Sequence, residues 1–218
     1  MKFKAIIFDM DGVLIDSERY WRKREHEVWE SFGIEYTQEL AQKTQGLNLT
    51  DAHTLIQEYK PEVTFEQAVK AFEKVAHKIY SGLCNLIPGV EKFVQEMHEA
   101  QIPMVIGSSS QQEWIEDTLE HFPVLKKGIS KYYSTQTEGF PGKPDPTVYT
   151  ELITYLKVKS EEVVIFEDST TGLKAAKASG AFTIAVYDPT MSHADTSIAD
   201  EVISSFEDKK IHTYLGIG

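Results

Sequence analysis

Cysteine is nearly absent: Cys84 is the only one in 218 residues. No intrachain disulfide is possible, and a reducing, cytoplasmic setting is the simplest expectation. Long apolar runs are missing too. Nothing approaches the ~20 apolar residues of a membrane span. The N-terminal run Ala5-Ile6-Ile7-Phe8 is stopped by Asp9, and no secretory pattern surrounds it. Basic residues are in short supply: 22 Lys and Arg stand against 34 Asp and Glu, a net charge of −12. That balance speaks against nucleic acid or an anionic membrane as the main partner. Any anionic substrate must then be drawn in by a local site, with the help of a metal. There is no internal repeat and no low-complexity tract, and the seven histidines show no metal-ligand pairing.

What is present is an ordinary apolar fraction and a chain long enough for one large domain, or for one domain carrying an insertion. The stretch Lys4 to Ser17 is its centre of organisation. Ala5 to Phe8 reads as a strand covered on both faces, as in a parallel sheet. It runs into Asp9 and Asp11, which in extended backbone project to the same side. Gly12 then lets the chain turn and brings backbone N–H groups close to a ligand. Two crowded carboxylates need a cation, a shared proton or solvent. Taken alone, the same residues also suit an ordinary Asp-Gly turn with both carboxylates solvated.

From Ser17 to about residue 86 the pattern is helical, with no strand signal. Tyr20, Trp21, Val28, Trp29 and Phe32 recur at helical spacing and Gly33 stops the run. Asn48 and Asp51 bracket the next start, and Pro61 ends that helix. Thr64 to Gln67 spells a capping box, followed by Ala68, Phe72, Val75 and Ile79, with Gly82 closing the stripe. From Pro88 strands and helices alternate. Strands are expected at Met104 to Gly107, Tyr132 to Thr135, Val163 to Phe166 and Phe182 to Val186, with an edge strand at Val202-Ile203. Ser110 to Glu113 reads as a second capping box. The alternation predicts an α/β fold: an open, mostly parallel sheet with helices on both faces. The expected division is a core of 1–16 and 87–218 and an inserted helical domain of 17–86. Linkers around Val13–Ser17 and Leu83–Gly89 join the two.

In such sheets ligands bind at the carboxyl ends of strands. Asp9 and Asp11, Ser108, and Glu167 with Asp168 all follow expected strands, and Lys143 lies in the loop after another. Each residue type suits phosphoryl transfer. One carboxylate can attack phosphorus and a second can move the proton. At ~4 Å and an effective dielectric of about 20, each repulsion between phosphate and carboxylate costs about 4 kcal/mol. A hard dication with oxygen ligands, Mg²⁺, removes that obstacle. Lys143 and the Ser108 hydroxyl would meet the phosphoryl oxygens. Each part also has a plain alternative: Ser108 as a helix cap, Lys143 as a solvated loop lysine, Glu167-Asp168-Ser169 as a capping sequence. The conjunction is more specific than any part.

Four segments carry a resemblance: Phe8-Asp9-Met10-Asp11-Gly12-Val13, Ser108, Gly142-Lys143-Pro144-Asp145-Pro146, and Phe166-Glu167-Asp168-Ser169-Thr170-Thr171-Gly172. Together they resemble the motifs of the haloacid dehalogenase superfamily, over essentially the whole chain. The resemblance implies a Rossmann-like core with a four-helix cap inserted after the first motif. It implies Asp9 as nucleophile and Asp11 as general acid and base. Asp9, the Asp11 carbonyl and Asp168 would hold Mg²⁺, with Glu167 a ligand or its supporting neighbour. Ser108 and Lys143 would bind the phosphoryl group.

Within the helical-cap subclass, small sugar-phosphate phosphatases and β-phosphoglucomutase look alike. The mutase carries a histidine where Trp21 stands and a phosphate-gripping arginine where this chain has Gly46-Leu47-Asn48-Leu49. The expectation is therefore a Mg²⁺-dependent phosphatase of a small sugar or polyol phosphate. A mutase is the alternative, and a phosphoaspartyl switch, which would need only one compact sheet domain, is a third reading. Gly12, Ser109, Trp21, Arg24, Lys43, Gly46 and the Thr44–Asn48 loop are candidates for substrate contact, though Trp21 would also suit a cap core. A monomer without nucleic-acid or membrane partners is expected.

Overall fold

The computed structural model describes residues 3–44, 49–187 and 194–216. The first strand, β1 (Ala5–Phe8), is followed by helices α1 (Glu18–Arg24), α2 (His26–Ser31), α3 (Gln38–Thr44), α4 (Leu49–Tyr59) and α5 (Phe65–Lys78). A single π-helical turn, Ile79–Leu83, extends α5. Then come α6 (Val90–Glu99), β2 (Met104–Ser108), α7 (Gln112–His121), α8 (Pro123–Gly128), β3 (Ile129–Ser134) and α9 (Thr147–Leu156). The chain continues through β4 (Val163–Glu167), α10 (Thr170–Ala178), β5 (Phe182–Val186), β6 (Glu201–Ile203) and α11 (Lys210–Leu215).

The six strands form one parallel sheet in the order β3-β2-β1-β4-β5-β6. β1 is central, and the strand order reverses beside it, which is where an open α/β sheet leaves a crevice at its carboxyl edge. Alternation along β1 explains why both faces are apolar. Ile6 and Phe8 join one buried cluster with Phe93, Ile106 and Phe166, while Ala5 and Ile7 join another with Val105, Leu152 and Ala175. Phe8 stacks on Phe166 at 5.4 Å, and Phe93 and Phe206 close around the pair.

The helical segment between β1 and β2 leaves and rejoins the core through two paired strands of chain. Ile15 and Leu86 form an antiparallel bridge. Asp16 N–H donates to Asn85 O at 2.9 Å, and Ile87 N–H to Leu14 O at 2.9 Å. The expected capping box of α5 is present: Thr64 accepts from Gln67 N–H, and the Gln67 side chain accepts from Thr64 N–H.

The helix expected from Tyr20 to Phe32 is two helices. At Glu25 the bonding changes from four residues back to three, Val28 N–H reaching Glu25 O at 3.0 Å. The stripe expected to close at Gly82 runs one residue further, because Cys84 N–H reaches back five residues to Ile79 O. Asn48, the expected start of α4, lies outside the described residues.

Candidate active site

β1 and β4 pair in register up to Phe8 and Phe166, and Asp9 N–H extends the ladder to Phe166 O at 2.9 Å. That bond fixes where Asp9 leaves the sheet. After it, Val13, Leu14 and Ile15 all turn their N–H groups back on Met10 O. The turn needs Gly12, whose φ is +75° and where a Cβ would overlap the Asp168 carboxylate. Glycine removes both the conformational penalty and the collision.

Lys143 reaches the same point from the loop after β3. Its ammonium is buried and donates to Asp9 Oδ1 at 2.5 Å, Glu167 Oε1 at 2.7 Å and Gly107 O at 3.1 Å. The Tyr149 ring lies 4.9 Å from Nζ. This is not a solvated loop lysine.

Glu167 is almost completely satisfied by protein. Oε1 also accepts from Tyr149 OH at 2.8 Å, while Oε2 accepts from the N–H groups of Asp168 and Ser169 and from Ser169 Oγ. Gly172 makes room for it, since a Cβ there would overlap the Glu167 carboxylate. Ser169 caps α10 through Gly172 N–H, so the capping reading of this stretch holds alongside its place in the site.

Asp11 is held by three hydroxyls. Ser17 Oγ and Tyr80 OH donate to Oδ1, the latter at 2.9 Å, and Ser110 Oγ donates to Oδ2 at 2.6 Å. The Ser110 capping box does not form: Gln111 occupies the N-cap of α7 without a side-chain bond, because the Ser110 hydroxyl is engaged by Asp11. Ser108, buried at the end of β2, accepts from Ser110 N–H at 3.0 Å and so shapes the loop while facing the crevice.

Asp9, Glu167 and Asp168 each bring an oxygen within 4.8 Å of the others. Burial pushes the Asp9 carboxyl up to about 8, with Lys143 opposing and Glu167 and Asp11 adding to the rise. Burial, then Glu167 and Asp9, likewise hold Asp168 well above its ordinary range. The acidic groups thus outnumber the one buried ammonium among them. A cation with oxygen ligands fits this donor set, and Glu167 is the member whose oxygens are already taken up by Lys143, Tyr149 and two backbone N–H groups.

These groups line the floor of a cleft of about 740 Å³. The helical segment and α7 line it with the aromatic side chains of Trp21, Tyr36, Phe72, Tyr80 and Trp114, beside the charged Glu18, Arg22 and Glu25. Ser109 and Trp21, both expected to contact substrate, lie in the cleft; Gly12, expected with them, is not among its lining residues, although Asp11 beside it is. Lys43 does not. It pairs with Glu39 at 2.9 Å and borders a separate shallow depression with Asp51 and Glu58. One helical turn apart, the two side chains satisfy each other on an exposed face. Arg24 also points elsewhere, to Glu27 at 2.5 Å, and Arg22 lines the cleft in its stead. Gly46 and most of the Thr44–Asn48 loop lie outside the described residues. Tyr80, Tyr149 and Trp114 carry no motif that would have singled them out, and Ser110 stands out only as the start of a capping box.

A family model described as haloacid dehalogenase-like hydrolase matches residues 6–186. The chain belongs to this family. Among curated relatives, it is 31% identical over 184 residues to a phosphorylated carbohydrates phosphatase of Thermotoga maritima, covering 81% of this chain and 82% of that one. It is 29% identical over 217 residues to hexitol phosphatase B of Escherichia coli, covering 97% and 96%. Among solved structures, β-phosphoglucomutase from Clostridium difficile superposes with a TM-score of 0.72 at 20% identity, covering 99% and 96%. The haloacid dehalogenase-like fold is therefore common to phosphatases and a phosphomutase, and side chains have to separate them. Among the described residues no helix is long and apolar enough to cross a membrane.

Proposed function

We propose that this hydrolase is a Mg²⁺-dependent phosphatase of small phosphorylated sugars or polyols, working through an aspartyl-phosphate on Asp9. The observation that carries the reading is the convergence of Lys143, Asp9, Asp168 and hydroxyl-held Asp11 at one edge of the sheet. An Asp9 carboxylate oxygen attacks phosphorus and the ester P–O bond breaks. Asp11 gives its proton to the leaving oxygen. Asp11 then takes a proton from water, which attacks the acyl-phosphate, releases inorganic phosphate and regenerates Asp9. Lys143 and the Ser108 hydroxyl bind the phosphoryl oxygens. Mg²⁺, held by Asp9, the Asp11 main-chain carbonyl and Asp168, would supply the positive charge that lets a phosphate dianion approach these carboxylates. Glu167 acts through Lys143, whose ammonium it holds in place.

Residues 17–86 are the cap of this enzyme and the rest its core, with the leaving group lodged against Trp21 and its aromatic neighbours. The sugar-phosphate class is supported by the relatives named above. A mutase has to grip a second phosphate and reinsert its intermediate; among the described residues Arg22 is the one cation that the helical segment brings to the cleft, and it shares that lining with Glu18 and Glu25. The test is phosphate release from a panel of sugar, polyol, nucleotide and glycolate phosphates, with Mg²⁺ and with EDTA, beside a coupled assay for glucose 1-phosphate isomerisation. Metal-dependent release without isomerisation is expected. Isomerisation with little free phosphate would replace this reading with the mutase. A stable Asp9 phosphate without turnover would replace it with a switch.

A further inference from the structure

Tyr80 is 69 residues from Asp11 in sequence, yet its hydroxyl lies 2.9 Å from Asp11 Oδ1. It stands on the π-helical turn Ile79–Leu83, at the end of the helical segment. Such wide turns re-aim the side chains they carry and recur at functional sites. Trp21 Nε1 lies 3.0 Å from the same phenol oxygen. The direction of this chain of bonds is fixed by chemistry. An indole N–H can only donate, and a phenol has one proton. Trp21 therefore donates to Tyr80, and Tyr80 spends its proton on Asp11.

The other two donors to Asp11 are serine hydroxyls, whose oxygens move with rotation about Cα–Cβ. The Tyr80 oxygen is placed by its ring. Its ring is buried, stacked on Trp114 at 5.5 Å and 19°, and flanked edge-on by Trp21 at 6.4 Å. Its hydroxyl is the donor to Asp11 that the aromatic packing holds, and it is built into the wall that faces the leaving group.

We propose that Tyr80 is a positioning residue: it aims the Asp11 carboxyl at the leaving oxygen and ties that aim to the Trp21 wall. This rests on the reading of Asp11 as the proton donor. Asp11 protonates the leaving oxygen as the P–O bond breaks. An alkoxide needs that proton, whereas p-nitrophenolate leaves without it. Losing the aim of Asp11 therefore harms one class of ester and spares the other. The ratio kcat/KM extends only to formation of the aspartyl-phosphate, so the later attack of water does not blur the comparison.

The experiment measures kcat/KM for the alkyl phosphate turned over fastest in the panel and for p-nitrophenyl phosphate. Wild type, Tyr80→Phe, Trp21→Phe and Asp11→Asn are compared, each with its thermal unfolding midpoint. Tyr80→Phe should lower the alkyl value about tenfold more than the aryl value, as for the loss of one hydrogen bond to a carboxylate. Asp11→Asn should separate the two esters by about 10²-fold or more. If Asp11→Asn does not separate them, the reading of Asp11 fails. If it does and Tyr80→Phe lowers both esters alike, or neither, Tyr80 only fills space and the proposal is overturned. Should Tyr80→Phe fail to fold, Trp21→Phe carries the test, because it removes the N–H behind the phenol; it also shortens the ring that faces the leaving group, so the ratio of the two esters is read and neither value alone. A smaller shift of the ratio in the same direction supports the coupling, and an unchanged ratio overturns it.

Discussion

Asp168→Asn takes one charge out of a cluster whose oxygens lie within 4.8 Å of one another. At that separation and an effective dielectric of about 20, each pair of carboxylates repels by about 3.5 kcal/mol. The Lys143 ammonium bonds directly to Asp9 and Glu167, and Asp168 feels it only as the weakest of five influences, after burial, Glu167, Asp9 and Glu18. Replacing Asp168 by its amide isostere should therefore stabilise the metal-free protein. Part of the repulsion is already relieved by protonation, so about 1–2 kcal/mol is expected, or about 2–8 °C in Tm for a chain of this size. With Mg²⁺ at about 100 times its Kd, wild type should gain about 2.7 kcal/mol, and the variant, short of a ligand, much less. The order of the two proteins inverts.

Thermal unfolding followed by circular dichroism, in EDTA and in excess MgCl₂, reads both shifts. The pH dependence has a definite sign. Asp168 has a folded-state pKa above its ordinary 3.8, so without metal it costs wild type stability as pH rises from that value through the raised one. The advantage of the variant should grow with pH and vanish in acid. A variant less stable than wild type in EDTA, or an equal response of both to Mg²⁺, would refute the reasoning.

Asp9→Asn should abolish phosphate release while the protein stays folded, as circular dichroism will show, and full activity in that variant would sink the nucleophile assignment. Lys143→Met removes the partner of two buried carboxylates. It should destabilise by about 3–5 kcal/mol, as for breaking a buried pair, which a urea titration will register as a lowered midpoint. Gly172→Ala should lower both Tm and activity although alanine is the better helix former, because its Cβ would overlap the Glu167 carboxylate; a gain in Tm would show that Glu167 can move aside.

The sheet was legible because burial on both faces leaves a mark that local sequence carries. Ala5 to Phe8 and Val163 to Phe166 are continuous apolar runs, Phe182 to Val186 is broken only by Thr183, and the structure has strands at all three. Strand ends then located the reactive residues, since Asp9, Ser108 and Glu167 follow directly where the apolar runs stop. The short helices α8 and α11, six residues each, left no readable stripe because two turns offer too few positions for a period to show. The side of the cleft facing the sheet was harder still. Tyr80 meets Asp11 only because a π turn rotates it and because the two linkers pair. Neither event has a local signature. Ser110 shows the same limit from the other direction. Its sequence context fits a capping box, but a carboxylate 99 residues away takes its hydroxyl instead. A charged acceptor outbids the N–H groups of a solvent-facing helix end, so the conflict between local pattern and observed bond marks the place where the chemistry is assembled.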